Sequence, residues 1–143
     1  MVTSATMFEL PLLLVDRAVT AAIEEDLSSG DPTSEACIPA DLRAVAHATA
    51  RQPLVVCGGP VFARVFERLD ADASVEVLLP EGARAAPGQR LWTVRGRARS
   101  VLAAERVALN FAQRLSGVWG IHLVAGAIAE LRRRFRGFTE RSV

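Results

Sequence analysis

Lysine and tyrosine are both absent from this chain, and the missing lysine removes whole classes of chemistry. All 17 basic residues are arginine. A Schiff base, a lysine general base and a lipoyl or biotinyl attachment site are therefore excluded. Cysteine is scarce: only Cys37 and Cys57 occur, both in apolar surroundings, which suits a reducing compartment and small buried side chains better than a disulfide scaffold. His47 has no histidine or cysteine partner at ligand spacing, so no metal site is expected around it. Long apolar runs are missing too. Leu10 to Val15 is far too short to cross a bilayer and follows no basic region, so a soluble, cytoplasmic protein without a membrane partner is expected.

What remains is an ordinary globular composition. The chain has 143 residues, 50% of them hydrophobic, and a net charge of +1. That length buries about two-thirds of the unfolded surface, enough to fold without staples. Neither disorder nor general polyanion binding fits such a balance.

The most informative stretch runs from Ala98 to Gly117. Val101, Leu102, Ala104, Ala108, Leu109, Ala112 and Leu115 recur at three- and four-residue intervals, which predicts one apolar stripe on a helix. Glu105, Arg106, Asn110, Gln113 and Arg114 crowd the same turns. A surface charge pair is the plain reading of these groups, and a polar partner for the helix is the functional one.

Elsewhere the pattern predicts a helix over Pro11 to Leu27, with Leu14, Ala18, Ala21 and Ile23 on one side. An acidic turn follows. Glu25, Asp26 and Asp31 offer oxygen ligands, but acids ahead of glycine and Asp-Pro more often make a hydrogen-bonded loop, and no metal site is assigned. Leu42 to Cys57 reads as strand bent at Pro53, and Gly58-Gly59-Pro60 turns the chain into a helix over Val61 to Leu69. Those glycines lack the Gly-Lys-Ser/Thr ending of a phosphate loop. Ser74 to Leu79, Arg84 to Ala86 and Arg90 to Val94 read as a strand meander, with Trp92 a core or interface aromatic. A further helix is expected from Ile121 to Arg134. Arg132, Arg133, Arg134 and Arg136 suit a helix carboxyl end, with no reading motif to make them a nucleic-acid site.

Two strings carry a family resemblance. Ala-Glu-Arg-Val-Ala-Leu-Asn-Phe-Ala-Gln-Arg-Leu-Ser-Gly, from Ala104 to Gly117, resembles the signature helix of the quinolinate phosphoribosyltransferases, or carboxylating nicotinate-nucleotide pyrophosphorylases. Glu25-Asp26-Leu27, Gly30-Asp31 and Thr33-Ser34 resemble their opening motif, with Ser28 where glycine is common. Leu69-Asp70, Gly82, Pro87-Gly88 and Gly96 follow in family order between the two. After Gly117 the agreement fades: Val118-Trp119-Gly120 stands where the family continues with Ile-Ala-Thr.

The resemblance implies an α+β fold, the hammerhead or barrel-sandwich-like N-terminal domain of type II phosphoribosyltransferases, over residues 1–117. Residues 118–143 would begin a truncated carboxyl-terminal α/β barrel with its first helix, or form a divergent tail. A natural stop, a shifted reading frame or a separately encoded barrel all fit that expectation. The implied reaction joins quinolinate to phosphoribosyl pyrophosphate, with Mg²⁺, giving nicotinate mononucleotide, pyrophosphate and CO₂ for NAD synthesis. The barrel does that chemistry, so the isolated chain is expected to be inactive, with no catalytic residue and no metal ligand of its own.

One contact is implied for this part. In the head-to-tail homodimer, or with a barrel-containing partner subunit, the arginine of Ala-Glu-Arg reaches a substrate carboxylate in trans. Here that arginine is Arg106, with Glu105, Asn110 and Arg114 in support. A non-catalytic dimerisation or capping domain and the molybdenum-associated relative of the same family are the alternatives.

Overall fold

The computed structural model describes residues 10–28, 36–117 and 121–125. Helix α1 (Leu12–Leu27) comes first, then strands β1 (Arg43–Ala50) and β2 (Leu54–Val55) and helix α2 (Gly59–Leu69). Strands β3 (Ser74–Val77), β4 (Arg84–Ala85) and β5 (Arg90–Arg97) lead into helix α3 (Ala98–Ser116), and β6 (Ile121–Ala125) follows. The order β3-β5-β1-β6 makes a four-stranded antiparallel sheet, and β2 pairs with β4 in a second, two-stranded one. The expected α+β class is what the chain adopts.

The meander is not. β4 leaves its neighbours to pair with β2, Leu54 opposite Ala85, so β3 lies directly against β5. Ile121–Ala125 also departs from the expected helix. Its β-branched residues complete the open edge of β1, with Ile121 opposite Ala50, and a ladder of backbone hydrogen bonds outweighs helical spacing. Residues 126–134 of that expected helix, the arginine cluster and the loop at 29–35 lie outside the described residues.

The core face of β1 is made of alanines. Ala44, Ala46, Ala48 and Ala50 are buried, whereas Val45, His47 and Thr49 point away from it. Short side chains there let α3 pack over β1, β5 and β6. Facing them are Ala98, Val101, Ala104, Val107, Ala108 and Ala112 of α3. Val107 joins the expected stripe, and Leu115 leaves it for solvent. Gly117 ends the helix in the left-handed conformation, φ +71°, donating its N–H back to the Arg114 carbonyl.

Aromatic rings fill the space between α2 and the sheet. Trp92 stacks on Phe62 at 4.6 Å, Phe62 meets Phe66 at 5.0 Å, and all three are buried. Trp92 is thus a core residue. Val61 and Val65 are buried beside them, and Leu69 packs against the edge of the core.

Helix α1 docks through its polar residues, and that sets which face is covered. Arg64 of α2 grips Asp16, and Arg68 donates to Thr20 one turn on. The buried ridge consequently runs through Val15, Val19, Ala22 and Ile23 rather than Leu14, Ala18 and Ala21. Leu12, Leu13 and Leu14 stand in solvent. Cys37 is exposed rather than buried, because its neighbour Ile38 takes the place against the core. Cys57 is half-buried, and burial pushes its thiol up.

Asp70 fixes where α3 begins. Its carboxylate accepts the N–H of Arg97, the residue that opens α3, at 2.8 Å and that of Asp72 at 3.0 Å. Burial alone would raise the Asp70 carboxyl, but those two donors, with Arg97 and Arg43 nearby, hold it below the ordinary carboxylate value. Asp16, hydrogen-bonded by Arg64, is held low as well. A lowered native value means the unfolded chain binds protons first as pH falls, so the stabilisation is complete above about pH 4 and lost below it. Thermal denaturation between pH 6 and pH 2.5 is expected to show this loss, with Asp70→Asn less stable at pH 6 and shallower in its acid limb. An unchanged acid limb in Asp70→Asn would remove Asp70 from the account.

Candidate functional site

The side of α3 that faces α1 carries the candidate residues. Arg106, Asn110 and Arg114, four residues apart, share one exposed edge of the helix. The last turns of α1 stand beside it, and a groove of about 440 Å³ opens between the two helices. Glu25 and Asp26 form its acidic wall, Arg106, Asn110 and Arg114 its other wall, and Val107 and Phe111 are apolar lining. The sequence points to the same edge through Arg106, Asn110 and Arg114, whereas Glu25 and Asp26 stand out there only as an acidic turn and as part of the opening motif.

Arg106 reaches outward, its side chain 78% exposed. Nη1 donates to Asp26 Oδ1 at 3.5 Å, the far limit of a hydrogen bond, so Coulomb attraction is the larger part of the contact. Glu105, one residue earlier, points off that edge and is half-buried. Arg106 therefore stands beside open surface, not in the hydrophobic interior.

The amino-terminal end of α2 is already occupied by a carboxylate of the chain itself. Gly58, at φ +92°, turns the chain into α2, where free N–H groups would normally collect negative charge. Glu81 supplies it: Gly58 N donates to Oε2 at 2.9 Å and Gly59 N to Oε1 at 2.7 Å. The expectation that this glycine pair is no phosphate loop has a structural reason. His47 is likewise committed, sharing a hydrogen bond of 3.0 Å with Thr93. Burial first, then Arg90 and Arg95, press its value down, which favours the neutral ring. Among the described residues no three His, Cys, Asp or Glu gather to hold a metal ion, and no helix is long and apolar enough to cross a membrane.

Residues 31–116 match the family "Quinolinate phosphoribosyl transferase, N-terminal domain". The chain belongs to that family. A tobacco relative, quinolinate phosphoribosyltransferase [decarboxylating] 1b, is 35% identical over 101 residues, which is 70% of this chain and 29% of the relative. The chloroplastic nicotinate-nucleotide pyrophosphorylase [carboxylating] of Arabidopsis thaliana is 35% identical over 70% of this chain and 29% of its own length. The crystal structure of NadC from Streptococcus pyogenes superposes with a TM-score of 0.73 at 34% identity, over 76% of this chain and 39% of that one. The chain thus spans less than a third of the two plant relatives. The whole of α3, Arg106 included, falls inside the matched residues.

Proposed function

We propose that this chain serves as the N-terminal part of a quinolinate phosphoribosyltransferase, converting quinolinate and phosphoribosyl pyrophosphate to nicotinate mononucleotide, pyrophosphate and CO₂. Its own contribution is Arg106, offered to a quinolinate carboxylate lying in the barrel of a partner subunit. One observation carries this reading: a guanidinium 78% exposed, on a helix whose opposite face is locked in the core, beside an open groove. A planar guanidinium forks onto a carboxylate through two parallel hydrogen bonds, and quinolinate presents two carboxylates on a flat ring. Arg114 and Asn110 support the same edge, whereas Glu105 points off it. Mg²⁺ would arrive with the pyrophosphate of the co-substrate; the described residues offer it no cluster, and no step here runs through it.

A non-catalytic reading, a domain that only pairs with a barrel or with itself, is favoured by Leu12, Leu13 and Leu14, all more than half exposed. Reconstitution separates the two. The chain is mixed with a barrel-bearing subunit deleted for its own N-terminal domain, and release of pyrophosphate from quinolinate and phosphoribosyl pyrophosphate is followed. Activity is expected only in the mixture. Binding without any activity would support the pairing role instead, and activity from the chain alone would overturn the division of labour.

A further inference from the structure

Arg64 shows on this same chain how one guanidinium serves two carboxylates. Its Nε and Nη2 edge takes Asp16 in a fork, Nε to Oδ1 at 2.5 Å and Nη2 to Oδ2 at 3.1 Å. Its remaining nitrogen, Nη1, donates to Glu67 at 3.2 Å. The two acids do not compete, because they use different edges of one plane.

Arg106 displays half of that arrangement. Nη1 faces Asp26, in the place Glu67 holds on Arg64, while nothing among the described residues meets Nε or Nη2. The partners also differ in freedom. Asp26 is 23% exposed and sits in the last turn of α1, a helix pinned to α2 by Asp16 and Thr20; Arg106 is 78% exposed on a long flexible stem. The fixed member of such a pair restrains the free one.

We infer that Asp26 is a positioning residue for Arg106: it occupies Nη1 and turns the Nε and Nη2 fork outward, ready for a ligand carboxylate. This rests on the reading that Arg106 meets the carboxylate of quinolinate. Asp26 touches no substrate in this scheme. It removes in advance part of the side-chain freedom that binding would otherwise take from Arg106, and leaves open the edge with the better geometry for a planar anion. Because the contact is long and solvent reaches it, the effect belongs on affinity and is modest.

Asp26→Asn, Asp26→Glu and Arg106→Ala, tested in the reconstituted mixture with a barrel-bearing subunit, distinguish the possibilities. Asp26→Asn is expected to raise KM for quinolinate about two- to fivefold with kcat unchanged, the size of an exposed ion pair. Asp26→Glu should restore most of that. In an Arg106→Ala background Asp26→Asn should add nothing. A readout free of turnover uses the chain itself: in ¹⁵N-labelled protein, the Nη1 protons of Arg106, which face Asp26, should exchange with solvent faster in Asp26→Asn, with the thermal midpoint unmoved. Were Arg106→Ala severe while Asp26→Asn matched wild type in both KM and exchange, the positioning role would be wrong and the substrate contact would stand. A lowered KM in Asp26→Asn would show repulsion of the substrate and also overturn it. If Arg106→Ala itself changed nothing, the substrate contact would be the part that fails.

Discussion

Arg106→Ala is expected to lower kcat/KM for quinolinate by about 10²- to 10³-fold in the reconstituted enzyme, the loss typical of removing one partner from a desolvated charge pair. The size follows from where the contact forms. On the free chain the guanidinium stands in water and is worth little, but in a barrel pocket closed over it the same carboxylate would be left without its counter-charge. Arg106→Lys keeps the charge and loses the fork, so an intermediate loss of about tenfold is expected. Folding should be untouched, because the side chain packs on nothing in the core, and surface changes of this kind stay within about 0.5 kcal/mol. Steady-state kinetics at varied quinolinate, beside a melting curve for each variant, decides the matter. Activity of Arg106→Ala within a factor of three of wild type would end the idea of an in-trans arginine.

Phe62→Ala should produce the largest loss of stability. Phe62 is wholly buried between Phe66 and Trp92, with ring centroids 5.0 and 4.6 Å away. Removing the ring leaves a cavity that flanking rings cannot close, at a cost of about 3–5 kcal/mol. Domains of this size have about 5–15 kcal/mol in total, so the variant should melt about 10–20 °C lower. Phe62→Leu should lose roughly half as much or less. Circular dichroism on heating reads both, and a shift of only one or two degrees in Phe62→Ala would mean the site collapses around the gap.

Local signals in the sequence carried much of this architecture. The stripe from Val101 to Ala112, the stop at Gly117, the bend at Pro53 and the helix start at Gly58-Gly59-Pro60 depend on spacing and on residues with special backbone freedom, all visible within a few positions. What stayed hidden depends on contacts between distant segments. The pairing of β4 with β2 and of β6 with β1 is a choice among edges, and nothing in Arg84-Ala85 or Ile121–Ala125 names the partner. Alternation in β1 was plain, but which set faced inward was not: alanine wins the core only because a helix presses close above it. For the site, Arg106 was legible through its string. Asp26 was seen as an acid in a turn, and its contact spans 80 positions of sequence, beyond any local rule.

The stripe of Ala44, Ala46, Ala48 and Ala50 has a bearing on reach. It acts as a thin shim under α3, and the thickness of that shim decides how far the helix, with everything on its outer edge, stands above the strands. Valine or leucine at these places would seat Arg106 higher, and a shallower partner would be needed to match it. Tuning between domains can thus be written into methyl groups buried well away from any ligand.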